Sequence, residues 1–376
     1  MTIRVLFDAH VIGTRETGNE TYTINLLQAL SNLPNVKCGA IILPGKTLPS
    51  SLSNAEPIVL KTNNNWKRLL VSLSDLYRSW CADVLHVNYV GPFASKVPFV
   101  TTLHDVSYKR FPHFFSPRDR LLFSTLFPLS LKTAKAIITV SHHAKQEIEH
   151  FYPSLKNKTF VAHEAANPIF RKINKKKEEN PVFHKFSIPD SYILVVGNLQ
   201  PRKNVLRIMR AFAAIQNQIE ETKLVIVGQA KWQSSEIEEE VKKQRIENRV
   251  IFTGYVTEEE LLWLYNDATV FVYPSLYEGF GLPILEAMAC GAPVITSNIT
   301  SMPEVAGDAA LLVNPYNEDE IADAIVRIVK NKDFAKLISE KGLQRARMFS
   351  WAKTAEETLK VYETTLRSSN VQHRSS

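Results

Sequence analysis

Short, unbroken apolar runs alternate with helix-length amphipathic stretches along most of this chain, and the pattern is played through twice. The first series of runs is Ile3–Phe7, Cys38–Leu43, Val84–Val87, Val97–Leu103, Ala136–Val140 and Thr159–Ala162. The second is Tyr192–Val196, Lys223–Val227, Val250–Phe252, Val270–Tyr273, Pro293–Thr296 and Ala310–Val313. Continuous apolar runs between helices are how parallel strands buried on both faces read. Parallel neighbours need a crossover, usually a helix, so the alternation predicts doubly wound α/β sheets. At 376 residues there is room for two such domains. Between the two series lies Arg171-Lys-Ile-Asn-Lys-Lys-Lys-Glu-Glu-Asn-Pro181, which is polar, charged and closed by proline. The expected layout is a first domain over 1–170, a linker over 171–190 and a second domain over 191–350. A helix over 351–367 follows, with Ser350 as its N-cap, and then a frayed polar tail.

Composition removes several classes. Hydrophobic residues make up 45% and charged residues 22%, ordinary for a globular chain and wrong for a disordered or collagen-like one. No run of 18 or more apolar residues exists, so no transmembrane helix is expected. The opening segment meets Asp8 before a signal-peptide core could form. The three cysteines, Cys38, Cys81 and Cys290, have no disulfide or zinc spacing. A cytoplasmic location is the expectation. The net charge of +7 is one-sided: residues 1–170 hold 18 basic and 11 acidic side chains, an excess of 7, and residues 171–376 hold 27 of each. The first domain is either simply solvated and basic, or it faces something anionic. Nucleic acid is not expected, because no finger, aromatic RNA-binding string or basic heptad is present.

The segment richest in chemistry runs from the strand ending at Tyr273 through a loop into the helix that opens at Pro283. Proline suits a first helical turn, where its missing N–H costs nothing. Gly279 and Gly281 allow a close approach of backbone to a ligand, and the N–H groups of Gly281 and Leu282 point out of the helix start, a ready anion site. Glu278 lies in the loop and Glu286 about one turn into the helix. Alone, two such glutamates read equally as surface charge placed well for the helix dipole. A dinucleotide fingerprint fails, because Ile284 stands where the third glycine would be.

Ser275-Leu-Tyr-Glu-Gly-Phe-Gly-Leu-Pro-Ile-Leu-Glu-Ala-Met-Ala-Cys-Gly-Ala-Pro-Val294 resembles the signature of the family 4 retaining glycosyltransferases, and Glu278 and Glu286 match the family's Glu-x7-Glu motif. The likeness continues through Ser297-Asn-Ile-Thr-Ser-Met-Pro-Glu-Val-Ala-Gly-Asp308 to Pro315. It is strong over 192–350 and patchy before that, and is greatest to the branch that holds bacterial polysaccharide and lipopolysaccharide mannosyltransferases. The resemblance implies a GT-B fold: two Rossmann-like domains facing a central cleft, with the C-terminal helix rejoining the first domain. It implies a metal-independent hexosyltransferase, with the acceptor on the first domain and a nucleotide-diphosphate sugar on the second. That sugar is a substrate rather than a cofactor. GDP-mannose is the first expectation and UDP-glucose the second.

Residue by residue, Gly197-Asn-Leu-Gln-Pro-Arg-Lys-Asn204 matches the loop that brings an Arg and a Lys to the nucleotide diphosphate. Arg202 and Lys203 would neutralise the leaving group, and Gly197 and Asn198 would line the donor. Donor contacts are also implied for Gly279, Phe280, Gly281 and Leu282, and Glu286 would bind ribose. Glu278 would touch the transferred sugar or its phosphate. Tyr255 and Val256 would lie near the base, although core packing explains them equally well. No Asp-x-Asp occurs, and Glu318-Asp-Glu320 reads as charge at a helix start, so no metal is expected.

In the first domain His104-Asp105 follows a strand, where doubly wound folds place ligands. A lone histidine is more often structural, but the resemblance implies that His104 faces the donor sugar while Asp105 orients its loop. Thr17-Gly-Asn-Glu-Thr-Tyr22 opens a helix where relatives read Gly-x-Gly. Gly18 fits. Glu20 replaces the second glycine, so an acceptor hydroxyl suits Gly18, Asn19 and Glu20 better than a phosphate does. Ser141 reads as an N-cap. The stretch 108–135 interleaves Phe111, Phe114, Phe115, Phe123 and Phe127 with Arg118, Arg120, Lys132 and other cations. It closes the domain core, or it rests on an anionic membrane at the inner face, where a lipid-linked acceptor would sit. Two rival functions stand beside transfer to a glycan or lipid-linked acceptor. One is another GT-B activity, an epimerase or a sucrose- or glycogen-type synthase. The other is a non-catalytic nucleotide-sugar-binding subunit.

Overall fold

The computed structural model describes residues 2–14, 17–174, 180–228 and 234–374. Contacts divide the chain into two units, one running to Glu164 and resuming at Ser350, the other spanning Ala165–Phe349.

The first unit holds seven strands: β1 (Ile3–Asp8), β2 (Val36–Ile42), β3 (Glu56–Val59), β4 (Val84–Asn88), β5 (Phe99–Thr102), β6 (Ala136–Thr139) and β7 (Thr159–Val161). They pair in parallel in the order β3-β2-β1-β4-β5-β6-β7. Succession reverses between β1 and β4, so the crevice at their carboxyl ends is the switch point where such sheets bind ligands. One strand, β3, was not legible as an apolar run. Its Glu-Pro-Ile-Val lies at the sheet edge with Val59 exposed, and an edge is where a strand tolerates proline and has least need of apolar side chains.

The second unit holds β8 (Tyr192–Val196), β9 (Lys223–Val227), β10 (Val250–Gly254), β11 (Val270–Tyr273), β12 (Val294–Ser297) and β13 (Leu311–Val313), all parallel, in the order β10-β9-β8-β11-β12-β13. Its switch point falls between β8 and β11. The core below it is built from Ile193, Ile226, Val272 and Ile295 of the sheet with Ile208, Phe212, Ile321 and Ile325 of the helices Val205–Ile215 and Glu318–Lys330. Asn317 caps the latter helix, and Glu320 closes back on Asn314 and Asn317, so the acidic run there is a helix start.

Two boundaries differ from the sequence expectation. The division falls after Glu164, and the stretch expected as a free linker packs on the second unit. The Ile173 N–H donates to Asn266, and the Asn180 amide donates to Asp267 at 2.7 Å while its oxygen caps the helix Pro181–Phe186. Val182 and Ile188 supply buried apolar anchors inside a stretch that looks polar. The basic residues 175–179 lie outside the described residues. The last helix runs Trp351–Arg374 rather than ending at 367, and Ser350 accepts from the Lys353 N–H as its N-cap. This helix belongs to the first unit: Thr354 Oγ1 donates to the His163 carbonyl at 2.5 Å, Trp351 meets Tyr22 edge-on, and the Tyr362 hydroxyl bonds His86 Nδ1. Among the described residues no helix is long and apolar enough to cross a membrane.

Candidate functional site

In the second unit the site is assembled from the two loops that leave the switch-point strands. After β8 the chain passes Gly197 at φ 147°, and the space beside it is closed by Gly228, at φ 139° after β9. A Cβ on Gly228 would lie 2.0 Å from the Gly197 carbonyl oxygen, so only glycine fits there. The loop then makes the tight turn Pro201–Lys203 and ends at Asn204 in the left-handed region, φ 63°. Asn204 is buried, and its Nδ2 donates to the carbonyls of Pro274 (3.0 Å) and Pro315 (2.7 Å). The Leu276 N–H donates to the Arg202 carbonyl at 2.8 Å. These bonds fasten the Arg-Lys turn to the loop after β11.

That fastening brings Arg202, Lys203 and Glu278 together. Arg202 donates to Glu278 Oε2 and Lys203 Nζ to Oε1, each at 2.7 Å. Lys203 also donates to the Tyr273 hydroxyl, which itself donates to Glu278 Oε1 at 2.9 Å. The Arg202 fork is held further by Gln200 and the Tyr277 carbonyl. Burial by itself would raise the Glu278 carboxyl, but Arg202 and Lys203 hold it down at about 2. Burial, with Arg202 adding repulsion against the pull of Glu278, brings Lys203 down to about 8. The loop behind is pinned by Ser301, whose hydroxyl reaches the carbonyls of Glu278 (3.0 Å) and Phe280 (2.7 Å), and by Ser297 on the Ser275 carbonyl.

Gly281, at φ 109°, caps the helix Leu282–Cys290, with Pro283 in its first turn. Glu286 is half-buried on this helix, and its Oε2 accepts from the buried Tyr265 hydroxyl at 3.1 Å. Its charge also acts on Lys203. Phe280 is buried and meets Phe349 edge-on. Val256 is buried, whereas Asn198 and Tyr255 are exposed. The arrangement is a turn with two cations, both paired with Glu278, beside a helix start, and such groups can receive a phosphate-bearing ligand.

In the first unit Asp105 orients the loop after β5 by accepting from the Ser107 N–H at 2.8 Å. His104 Nδ1 lies 3.1 Å from Glu164 Oε1. The helix Thr17–Ser31 presents Gly18 with open space around it. Asn19 accepts from the Tyr89 hydroxyl at 3.4 Å, and Glu20 accepts from the Gly13 N–H at 2.6 Å. Glu20 thus braces the loop after β1. Beside that loop Asp8 is fully buried with Arg68 and His10, and despite its burial the Arg68 guanidinium, helped by a hydrogen bond to His10, holds it at about 2. Ser141 is an N-cap, accepting from the Ala144 N–H. Of the aromatics over 108–135, Tyr108 and Phe127 are buried and Phe123 stacks on Phe127 at 5.0 Å, so these rings close the core. What the helix Pro117–Thr133 exposes is Arg118, Arg120, Leu121, Leu129 and Lys132.

Sequence reasoning missed Tyr273, Asn204, Ser301, Tyr265 and Glu164. Asn204, Ser301 and Glu164 carried a chemical signal, as polar residues in loops and turns, whereas Tyr273 and Tyr265 were hidden inside the apolar runs of β11 and of the helix Glu258–Asp267.

Comparison with known proteins agrees with this geometry. Residues 18–168 match the model described as Glycosyltransferase Family 4, and residues 176–345 match the one described as Glycosyl transferases group 1. The O-antigen chain mannosyltransferase B of Escherichia coli is 35% identical over 269 residues, 70% of each chain. The O-antigen chain mannosyltransferase RfbU of Salmonella typhimurium is 28% identical over 349 residues, 86% of this chain and 90% of its own. A sucrose-phosphate synthase from Thermosynechococcus elongatus shares the fold, with a TM-score of 0.76 over 98% of this chain and all of that one at 21% identity. With two doubly wound units and the cationic turn facing the Glu-x7-Glu segment, the chain belongs to the family 4 glycosyltransferases of GT-B fold.

Proposed function

We propose that the protein is a retaining mannosyltransferase that moves mannose from GDP-mannose to a glycan or lipid-linked acceptor in O-antigen assembly. The observation that carries the chemistry is the convergence of Arg202 and Lys203 on Glu278 at the switch point, beside the start of the helix Leu282–Cys290. The sugar rests on the relatives, two of which are named as O-antigen mannosyltransferases. UDP-glucose is the second donor to test.

In this reading the C1–O bond to the diphosphate breaks, and Arg202, Lys203 and the helix-start N–H groups take up the charge left on the phosphate. The acceptor oxygen bonds C1 on the same face, and its proton passes to a donor phosphate oxygen. Glu278 is held by three donors, which suits orienting the sugar or its phosphate and not covalent attack. Glu286, steadied by Tyr265, binds ribose, and His104 meets the transferred sugar. Gly197, Asn198, Tyr255, Val256, Gly279, Phe280, Gly281 and Leu282 complete the donor site, and Gly18, Asn19 and Glu20 meet the acceptor. Two cations at the leaving group support turnover without a divalent metal, so transfer should persist in EDTA. The Arg118, Arg120, Leu121, Leu129 and Lys132 face supports peripheral contact with anionic lipid at the inner side of the membrane. Sedimentation with phosphatidylglycerol vesicles, lost when the three cations become glutamate, tests that contact.

The deciding experiment is thermal stabilisation by GDP-, UDP-, ADP- and dTDP-sugars, followed by NMR of the product's anomeric configuration. A ligand at 100 times Kd adds about 2.7 kcal/mol. GDP-mannose should give this shift, Arg202→Ala and Glu286→Ala should abolish it, and the product should be the α-mannoside. An inverted product, or a shift with another nucleotide class alone, refutes the proposal.

A further inference from the structure

His104 stands two residues past the end of β5, and Glu164 three past the end of β7, with β6 between the two strands. The Glu164 side chain is nearly sealed from solvent, and its Oε1 lies 3.1 Å from His104 Nδ1. The ring has little freedom. Tyr22 meets it edge-on at 4.5 Å, Tyr89 lies against it at 5.5 Å, and Tyr22 is itself anchored on Thr102 Oγ1 at 2.8 Å. His104 Nε2, by contrast, is shut off from solvent and has no hydrogen-bond partner among the described residues.

A carboxylate can only accept, so its pairing with Nδ1 puts a proton on that nitrogen. In the neutral ring the lone pair is then on Nε2. Leaving a buried acceptor unpaired is costly, and such atoms in native structures call for a reason. A hydroxyl that arrives with substrate supplies one.

We propose that Glu164 is a positioning residue: it fixes His104 in the Nδ1–H form so that Nε2 accepts a hydrogen bond from a hydroxyl of the transferred sugar. This rests on the mannosyltransferase reading given above. The same division of labour, a carboxylate setting the tautomer of the histidine that meets substrate, is well established in other active sites.

The test combines ¹⁵N NMR of His104, assigned by its loss in His104→Ala, with kinetics. In the wild type at a pH where the ring is neutral, the Nδ1–H form should dominate, and Glu164→Ala should shift it toward Nε2–H. With GDP-mannose, kcat/KM should fall about tenfold in Glu164→Ala, the value of one hydrogen bond. The affinity for GDP, which lacks the sugar, should stay within about twofold. The double variant Glu164→Ala/His104→Ala should transfer no worse than His104→Ala. Glu164→Gln, whose carbonyl can still accept from Nδ1, should restore transfer part-way and serves if the alanine variant does not fold. An Nε2–H ring in an active wild type, or additive losses in the double variant, overturns the positioning role. A wild type that keeps the Nδ1–H ring but transfers nothing from GDP-mannose instead overturns the functional reading, and with it the sugar hydroxyl assigned to Nε2.

Discussion

Glu278 Oε1 stands 2.7 Å from Lys203 Nζ, and its Oε2 stands at the same distance from Arg202. One carboxylate therefore serves as counter-ion to both cations that a leaving diphosphate would need. Glu278→Gln leaves two adjacent cations in a largely buried setting, a loss of about 3–5 kcal/mol for comparable pairs. GDP should restore more stability to this variant than to the wild type, while mannosyl transfer should fall about a hundredfold. Calorimetric titration and melting with and without GDP check this, and a smaller GDP shift in the variant would sink the counter-ion role.

The lowered Lys203 gives a pH dependence. Burial brings its ammonium to about 8, so the free enzyme loses this charge as pH rises through that value. The donor's kcat/KM, which reports the free enzyme, should decline above about pH 8. The bound diphosphate favours the charged form, so kcat should hold to higher pH. Lys203→Arg should flatten the decline, because its guanidinium stays protonated.

Gly228 and Gly18 make a matched pair. Gly228→Ala puts a methyl group 2.0 Å from the Gly197 carbonyl oxygen at φ 139°, and the backbone of the loop after β8 must move. A loss of about 2–4 kcal/mol is expected, together with the GDP shift. Gly18→Ala meets nothing within 4 Å and sits on a helix, so it should be neutral or stabilising by up to about 1 kcal/mol. Urea titration of both variants tests the contrast.

His86 links β4 to the last helix and adds an acid sensitivity. It is fully buried between the Tyr362 hydroxyl and Thr102 Oγ1. Burial first, with a smaller contribution from nearby His104, lowers it from 6.5 to about 3. The unfolded chain therefore binds a proton between these values that the folded chain does not. Folding stability should fall as pH drops below about 6.5, at most about 1.4 kcal/mol per pH unit from this group. Urea midpoints at pH 7 and pH 5 should differ less in His86→Asn than in the wild type, and equal differences would remove His86 as the source.

The sheets were legible because their strands are buried on both faces and written in β-branched and aromatic residues; Tyr192–Val196 and Val270–Tyr273 are found where the apolar runs place them. Strand β3 was hidden because an edge does not need that pattern. The segment Ser275–Leu282 stood out by its own residues, and the pair Arg202–Lys203 through the family resemblance. Asn204 did not, because its role depends on reaching Pro315, 111 residues away, and Glu164 did not, because its partner His104 comes from another strand. Local chemistry is written in local sequence, whereas the groups that brace it become neighbours only through the fold.

The helix Trp351–Arg374 is synthesised only after the whole second unit, yet Tyr22, His86 and His163 of the first unit depend on it. The second unit is thus an insertion within the first. On the ribosome the order of completion is reversed: residues 165–349 can close their own sheet while the unit whose strands precede them still lacks this helix as a wall. A nascent chain halted before Trp351 would hold one finished domain and one with an open flank, and that flank is where a chaperone or protease would find it.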